Sequence, residues 1–401
     1  MNGKDYGISL SEMIPLSGTM AQACIPHLTS GRIYISFGNA LDMPTDMQSG
    51  TGTFTPKQPD VNNPQTTTNG TLFDKIEFNY STSGETVINP TGVDFIAIPY
   101  TIQQAGYEYG HAGGLDAVIK NMETIVCRAS GEALGSPECT NRWNNSEWSS
   151  LVIYNEANQL MRVDAPGRSG NRFSGYFTNY INELSKYYTS SANRSVKIDL
   201  KELGSIGKGI WSGTFKPNST TLVFSPDGGA STMSYNLGTP ESSNSILMGA
   251  QSPFNNTNAV DSTLARDLTA AIVSGMLMRK ESAFTGKDFF DSEGNPVFKN
   301  KEQMQNLIEY YFNNMENSVD YIVNQCGATK DAPCVDVYSE ALHALSTDKN
   351  IDHPQDSYLK SYAFSYDDFL GMDGTNTQTD AAPTTIVMGD MDARKIPHIN
   401  P

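Results

Sequence analysis

Two acidic residues stand in a strand-like stretch of sequence, Glu77 within Phe73-Asp-Lys-Ile-Glu-Phe-Asn-Tyr80 and Asp94 at the head of an apolar run. Over residues 74–80, Ile76, Phe78 and Tyr80 alternate with Lys75, Glu77 and Asn79, so a strand here turns Glu77 toward water. Over residues 93–99, Val93, Phe95 and Ala97 alternate with Asp94, Ile96 and Ile98. Ser, Thr, Gly, Asn and Pro crowd the connection 81–92, which predicts a hairpin or two neighbouring strands. Antiparallel pairing of the two runs would set Glu77 and Asp94 on one face. Two carboxyl groups beside a groove suffice to cleave a glycosidic bond: one, protonated, donates to the leaving oxygen, and the other activates water or attacks. The competing reading is a solvated strand face with ordinary surface acids.

The elements that must position these residues follow from periodicity. Residues 32–37 alternate as a strand, and 39–70, rich in Pro, Thr, Gly and Asn, reads as a surface loop. Leu115, Val118, Ile119, Met122 and Ile125 have helical spacing, predicting an amphipathic helix over 116–127. Strands return at 150–154 and 160–164. Phe177, Tyr180, Ile181, Leu184 and Tyr188 mark one face of a helix within 173–188. Strand-like pieces lie at 196–200, 213–215 and 221–224, and helices at 259–278, 301–325 and 337–345. Strands recur at 361–366 and 384–388. The expected organisation is a β-rich domain over 1–168, completed by C-terminal strands within 355–401, with a mixed α/β domain, 169–354, inserted between them.

Composition narrows the function classes. The chain has 401 residues, enough for two domains with cores of their own, and a net charge of −17. That balance disfavours nucleic acid and anionic membranes, both of which reward Lys and Arg, and suits a neutral partner. Nineteen Tyr and three Trp offer faces that can stack on sugar rings, although most aromatics fill cores. No run approaches a bilayer-spanning length, and the N-terminus lacks the apolar core of a signal peptide. Of the cysteines, local spacing suggests Cys127 with Cys139 and Cys326 with Cys334, leaving Cys24 free, as in an oxidising compartment; five reduced thiols is the alternative. His27, His111, His343, His353 and His398 form no zinc motif, and neither a nucleophile elbow nor a phosphate loop is present. Asp367, Asp368 and Asp373 miss the spacing of a calcium loop.

Several motifs in order carry a resemblance: Gly31-Arg-Ile-Tyr-Ile-Ser-Phe-Gly38, Phe73-Asp-Lys-Ile-Glu-Phe78, Asn89-Pro-Thr-Gly-Val-Asp94, Arg162-Val-Asp-Ala-Pro-Gly167, Tyr176-Phe-Thr-Asn-Tyr-Ile-Asn-Glu183 and Tyr362-Ala-Phe-Ser-Tyr-Asp-Asp-Phe369. Over about residues 14–390 the chain resembles glycoside hydrolase family 64, endo-acting β-1,3-glucanases related in fold to thaumatin-like proteins. The resemblance implies a β-rich α+β fold, a thaumatin-like β-sandwich or barrel beside a mixed α/β domain, with an open groove for the glucan between them. It further implies a secreted, monomeric, inverting enzyme without metal or cofactor, with Glu77 as acid, Asp94 as base and Asn79 and Thr91 as sugar contacts. The connection 81–92 lacks the aromatic residue that the family often carries there. The runner-up is a thaumatin-like protein that binds β-1,3-glucan without cutting it.

Overall fold

Ten residues with Ile33, Ile35 and Phe37 on one side and Arg32, Tyr34 and Ser36 on the other form β1 (Leu28–Phe37), and the same alternation makes β4 (Leu72–Tyr80) its antiparallel partner. The computed structural model of the chain describes residues 27–37, 71–111, 113–192, 194–207, 209–227, 231–247, 258–273 and 334–350, with short strands and single positions elsewhere. Gly31 lies opposite Phe78, where a Cβ would meet the Phe78 ring at 2.4–2.8 Å. The motif that begins at Gly31 therefore needs a residue without a side chain. Past β4, the turn 81–85 closes through the Ser81 N–H on the Glu85 carbonyl at 2.8 Å, with Gly84 at φ +89°, and leads into β5 (Thr86–Pro90).

Here the structure corrects the expected pairing. The connection 81–92 is not a loop but holds β5, which takes the place beside β4. The run 93–99 contributes only β6 (Phe95–Ile96), and this strand pairs with β10 (Leu160–Asp164) in a sheet of its own with β9 (Val152–Tyr154). Glu77 and Asp94 thus stand on strands that do not pair. The presumed loop 39–70 also contains two short antiparallel strands, β2 (Thr45–Met47) and β3 (Phe54–Pro56).

β7 (Tyr100–Gln104) and β8 (Tyr107–His111) form a hairpin around Ala105 and Gly106, both at positive φ. Its sheet, in the order β16 (Ser346–Asn350), β8, β7, β18 (Thr384–Met388), packs through Tyr100, Ile102 and Tyr109 on Ile76, Phe78 and Ile88 of the β1-β4-β5-β17 sheet, where β17 is Asn376–Gln378. C-terminal segments therefore join the sheets of the N-terminal part: β17 pairs with β5, and β18 with β7.

The larger core lies elsewhere. The sheet of β11 (Val196–Asp199), β12 (Ile210–Phe215), β13 (Thr221–Pro226), β14 (Met233–Asn236) and β15 (Val297–Phe298) is antiparallel except for the β11–β15 pair. It shares one apolar cluster with α1 (Leu115–Ala129), α3 (Thr178–Thr189), α4 (Pro240–Leu247), α5 (Ala259–Val273) and α6 (Val337–His343). The predicted helical face of α3 is the buried one, with Tyr180, Ile181, Leu184 and Tyr188 inside, although the helix starts only at Thr178. α2 (Pro137–Asn144) is capped by the Ser136 hydroxyl, which accepts the Cys139 N–H at 3.1 Å. Cys139 is disulfide-bonded to Cys127 of α1, as spacing suggested. Closing so short a loop restricts the unfolded chain by about 3 kcal/mol in the entropy model. Cys334 is also disulfide-bonded. Its expected partner Cys326, together with Cys24, the predicted helix at 301–325 and the strand at 361–366, lies outside the described residues. Among those described, no helix is long and apolar enough to cross a membrane.

Candidate active site

Asp94 reaches the solvent edge of the fold because three interactions hold the segment around it. Its carbonyl accepts the Ala165 N–H at 2.9 Å, which joins it to the end of β10. The Gly92 carbonyl accepts the hydroxyl of Tyr338, from α6, at 2.5 Å. Downstream, the fully buried Asp74 carboxyl accepts the Ala97 and Ile98 N–H groups at 2.8 and 2.9 Å on Oδ2, and the Lys75 N–H at 2.7 Å on Oδ1. Asp74, on the core side of β4, is thereby the clamp between the Glu77 strand and the Asp94 segment.

Burial pushes the Asp74 carboxyl up to about 7, against the backbone donors at Ile98, Ala97 and Lys75 and the Lys75 charge, all of which favour the anion. The raised folded-state value fixes the sign of the pH effect. The stability contribution is complete below pH 4, where the unfolded group is also protonated, and is lost as pH rises through about 7. Asp74→Asn, which cannot ionise but turns an amide N–H toward one of these donors, should start below wild type in urea unfolding at pH 4.5 and narrow the gap as pH rises to 8. Asp74→Ala strands buried N–H groups and should cost about 1–3 kcal/mol for each at either pH.

On the opposite face of β4, alternation predicts a wet row of Lys75, Glu77 and Asn79. Asn79 is exposed and Glu77 is partly exposed, but Lys75 is only 2% exposed. Its stem is covered and its ammonium pairs with Oδ2 of Asp94, while Arg168 donates from Nε to Oδ1 at 3.0 Å. Each Asp94 oxygen thus faces one cation. Arg168 ends the turn that follows β10, and Arg162 pairs with Asp164 at 2.6 Å on the same strand. Burial pushes the Asp164 carboxyl up, and Arg162 pulls it back.

Glu77 has a different environment. Arg32, its cross-strand partner on β1, donates from Nε and Nη2 to Oε1 at 3.1 and 3.0 Å. Oε2 has no hydrogen-bond partner among the described residues, and the side chain is 27% exposed, the same as that of Asp94. Tyr34, opposite Lys75 on the same face, connects the two acids electrostatically. Burial pushes its phenol up to about 12; Arg32 pulls it down, Asp94 and Glu77 push it further up, and Arg168 opposes them. Tyr34 therefore remains a neutral hydrogen-bond donor at any ordinary pH.

The structure thus brings Glu77 and Asp94 to one face, not by strand pairing but through β1, Lys75 and the Asp74 clamp. Asn79 lies exposed two residues from Glu77 on that face. Thr91 is 2% exposed and so is not open to solvent. Sequence reasoning missed Arg32, Tyr34, Lys75 and Arg168. The first two lie inside the quoted motif at 31–38, and Arg168 directly follows the one at 162–167. Two cavities lie elsewhere: about 780 Å³ between α3 and the β12–β13 turn, and about 510 Å³ between α1 and α2. Neither is lined by the two acids. Glu123, Cys127 and Cys139 cluster at metal-binding distances, but the disulfide occupies both sulfurs.

The β-rich mixed α+β fold thus presents two carboxyl groups on one face, each paired with lysine or arginine. The β-1,3-glucanase model of glycoside hydrolase family 64 matches residues 4–297, and the chain belongs to that family. Among solved structures it is similar to a family 64 β-1,3-glucanase domain from Clostridium beijerinckii, with TM-score 0.56 and 22% identity over 91% of this chain and 76% of that one. It is also similar to a laminaripentaose-producing β-1,3-glucanase in complex with laminaritetraose, with TM-score 0.56 and 17% identity over 91% of this chain and 79% of that one. At these identities the likeness establishes the fold. No curated protein matches the chain.

Proposed function

We propose that this chain is a secreted, monomeric enzyme that cleaves laminarin-like or curdlan-like β-1,3-glucans internally with inversion, releasing short oligosaccharides. Glu77 is the general acid and Asp94 the general base. The observation that carries the reading is the unequal setting of two neighbouring carboxyl groups. Lys75 and Arg168 favour the Asp94 anion, which a base requires. Glu77 keeps one oxygen clear of Arg32, so that oxygen can carry the proton owed to the leaving group. Room for a water between the carboxyl groups calls for a separation of about 6.5–9.5 Å. Asn79, exposed beside Glu77, contacts sugar hydroxyls directly, and Thr91 supports the sugar site through its backbone neighbours. The frame is a thaumatin-like β-sandwich over 1–168 and 355–401 beside a mixed α/β domain over 169–354, with the glucan in an open groove. No metal or cofactor enters the reaction.

Incubation with laminarin and with curdlan should release soluble oligosaccharides. The rate should be nearly flat between low and moderate salt, because a neutral polyhydroxyl chain is held by hydrogen bonds and stacking. The runner-up, a glucan-binding protein without hydrolytic activity, draws on the ion pairing of both acids. It predicts retention of the polymer with no reducing ends formed.

A further inference from the structure

Asn89 stands directly across from Glu77 in the β4–β5 register, so both side chains project from the same face of the sheet. Cross-strand neighbours of this kind have Cβ atoms about 4.5–5.5 Å apart, within reach of a side-chain hydrogen bond. The residue is partly exposed, yet its Oδ1 is buried and has no hydrogen-bond partner among the described residues. A buried amide oxygen left unsatisfied costs about 1–3 kcal/mol. An acceptor kept at that cost beside a group that gains and loses a proton calls for a partner present in only one protonation state.

We propose that Asn89 is a positioning residue for the general acid: when Glu77 is protonated, its Oε2–H donates to Asn89 Oδ1, which holds the carboxyl in its donor form until substrate arrives. The inference rests on Glu77 being the acid. It gives Oε2 a role of its own while the Arg32 guanidinium holds Oε1. The ionised carboxylate has no proton to offer Asn89, so the bond forms selectively with the acid form. When glucan binds, the same proton turns to the glycosidic oxygen, Glu77 leaves as the anion, and the Asn89 acceptor is released. Among the described residues, the titratable and charged groups around Glu77 are Arg32 and Tyr34 from β1 and Lys75 on β4; Asp94 and Arg168 share the field at Tyr34 with Glu77, and from the core side the Tyr100 phenol feels Glu77. β5 presents only Val87 and Asn89 on this face.

The test is the basic limb of the kcat/KM profile on laminarin, which reports the free enzyme's essential acid. Asn89→Ala should move the limb to lower pH, with activity about fivefold below wild type on its alkaline side, or about 0.7 pH unit for one hydrogen bond. Asn89→Asp, of the same shape but adding a negative charge, should move it to higher pH. Opposite shifts support the proposal, since a structural role would lower the whole profile without moving the limb. Coincident limbs in wild type and both variants, or shifts in the same direction, overturn it. The residual activity of Glu77→Gln separates this from the parent reading. If its basic limb is gone while the Asn89 variants leave theirs unmoved, only the Asn89 inference fails. If the limb survives in Glu77→Gln, the acid assignment fails and takes the inference with it.

Discussion

Asp94→Asn should lower laminarin hydrolysis by about 10²–10⁴-fold, the usual range for removing a positioned base, and should also destabilise the protein. From sequence alone the second effect is unexpected, because a partly exposed acid at a strand entrance removes no core packing. The structure supplies the reason: Oδ2 of Asp94 is the counterion of Lys75, whose side chain is 2% exposed. Neutralising the acid leaves a buried ammonium uncompensated, a loss of about 3–5 kcal/mol when one partner of a buried pair is removed. Lys75→Met in the Asp94→Asn background removes the stranded charge while keeping the stem, so it should recover much of the lost stability and none of the activity. Thermal unfolding and reducing-end assays on the same samples separate the two effects. Recovery of activity with stability would mean that Asp94 is a structural anchor and not the base.

Glu77→Gln should lose activity on laminarin to a similar extent, about 10²–10⁴-fold, while its stability stays near wild type. Its partner Arg32 is 39% exposed, and a solvated pair of this kind contributes at most about 1 kcal/mol. The amide keeps an oxygen for Arg32 but cannot deliver a proton. On an aryl β-1,3-glucoside whose leaving group departs without protonation, the variant should therefore keep far more of its activity than it does on laminarin. Asp94→Asn should fail on both substrates, because both need an activated water. If Glu77→Gln hydrolysed laminarin at near wild-type rate with its fold intact, the roles assigned here would be wrong.

How far the sequence could be read follows from which forces are local. β10 and β18 occupy the predicted residues, and α1 and α6 differ from prediction by at most two residues at either end, because an apolar period of two or near 3.6 records the buried face directly. The β7–β8 hairpin left no such signal: its turn puts Ala105 at φ +49°, where Asn or Asp is the usual choice. In the sequence β5 reads as loop because Asn89 and Pro90 resemble turn residues, and Glu77 and Asp94 are in consequence expected on paired strands. The two acids themselves were legible through their motifs. Their cations were not. Alternation assigns Lys75 to water, and only the folded chain shows that a carboxylate 19 positions away, itself paired with an arginine 74 positions beyond, draws the lysine under cover. Asp74 was equally hidden, since nothing local distinguishes a surface acid from one that clamps the backbone at Ala97 and Ile98.

The central claim is inversion by this pair of acids, and the anomer formed first reports on it directly. Proton NMR of laminarin digested by the wild-type enzyme, recorded before mutarotation equilibrates the new reducing ends, should show the α-anomer accumulating ahead of the β-anomer. Water delivered by Asp94 to the face opposite the departing oxygen gives no other product. Early accumulation of the β-anomer would mean a covalent or double-displacement route and would contradict the account.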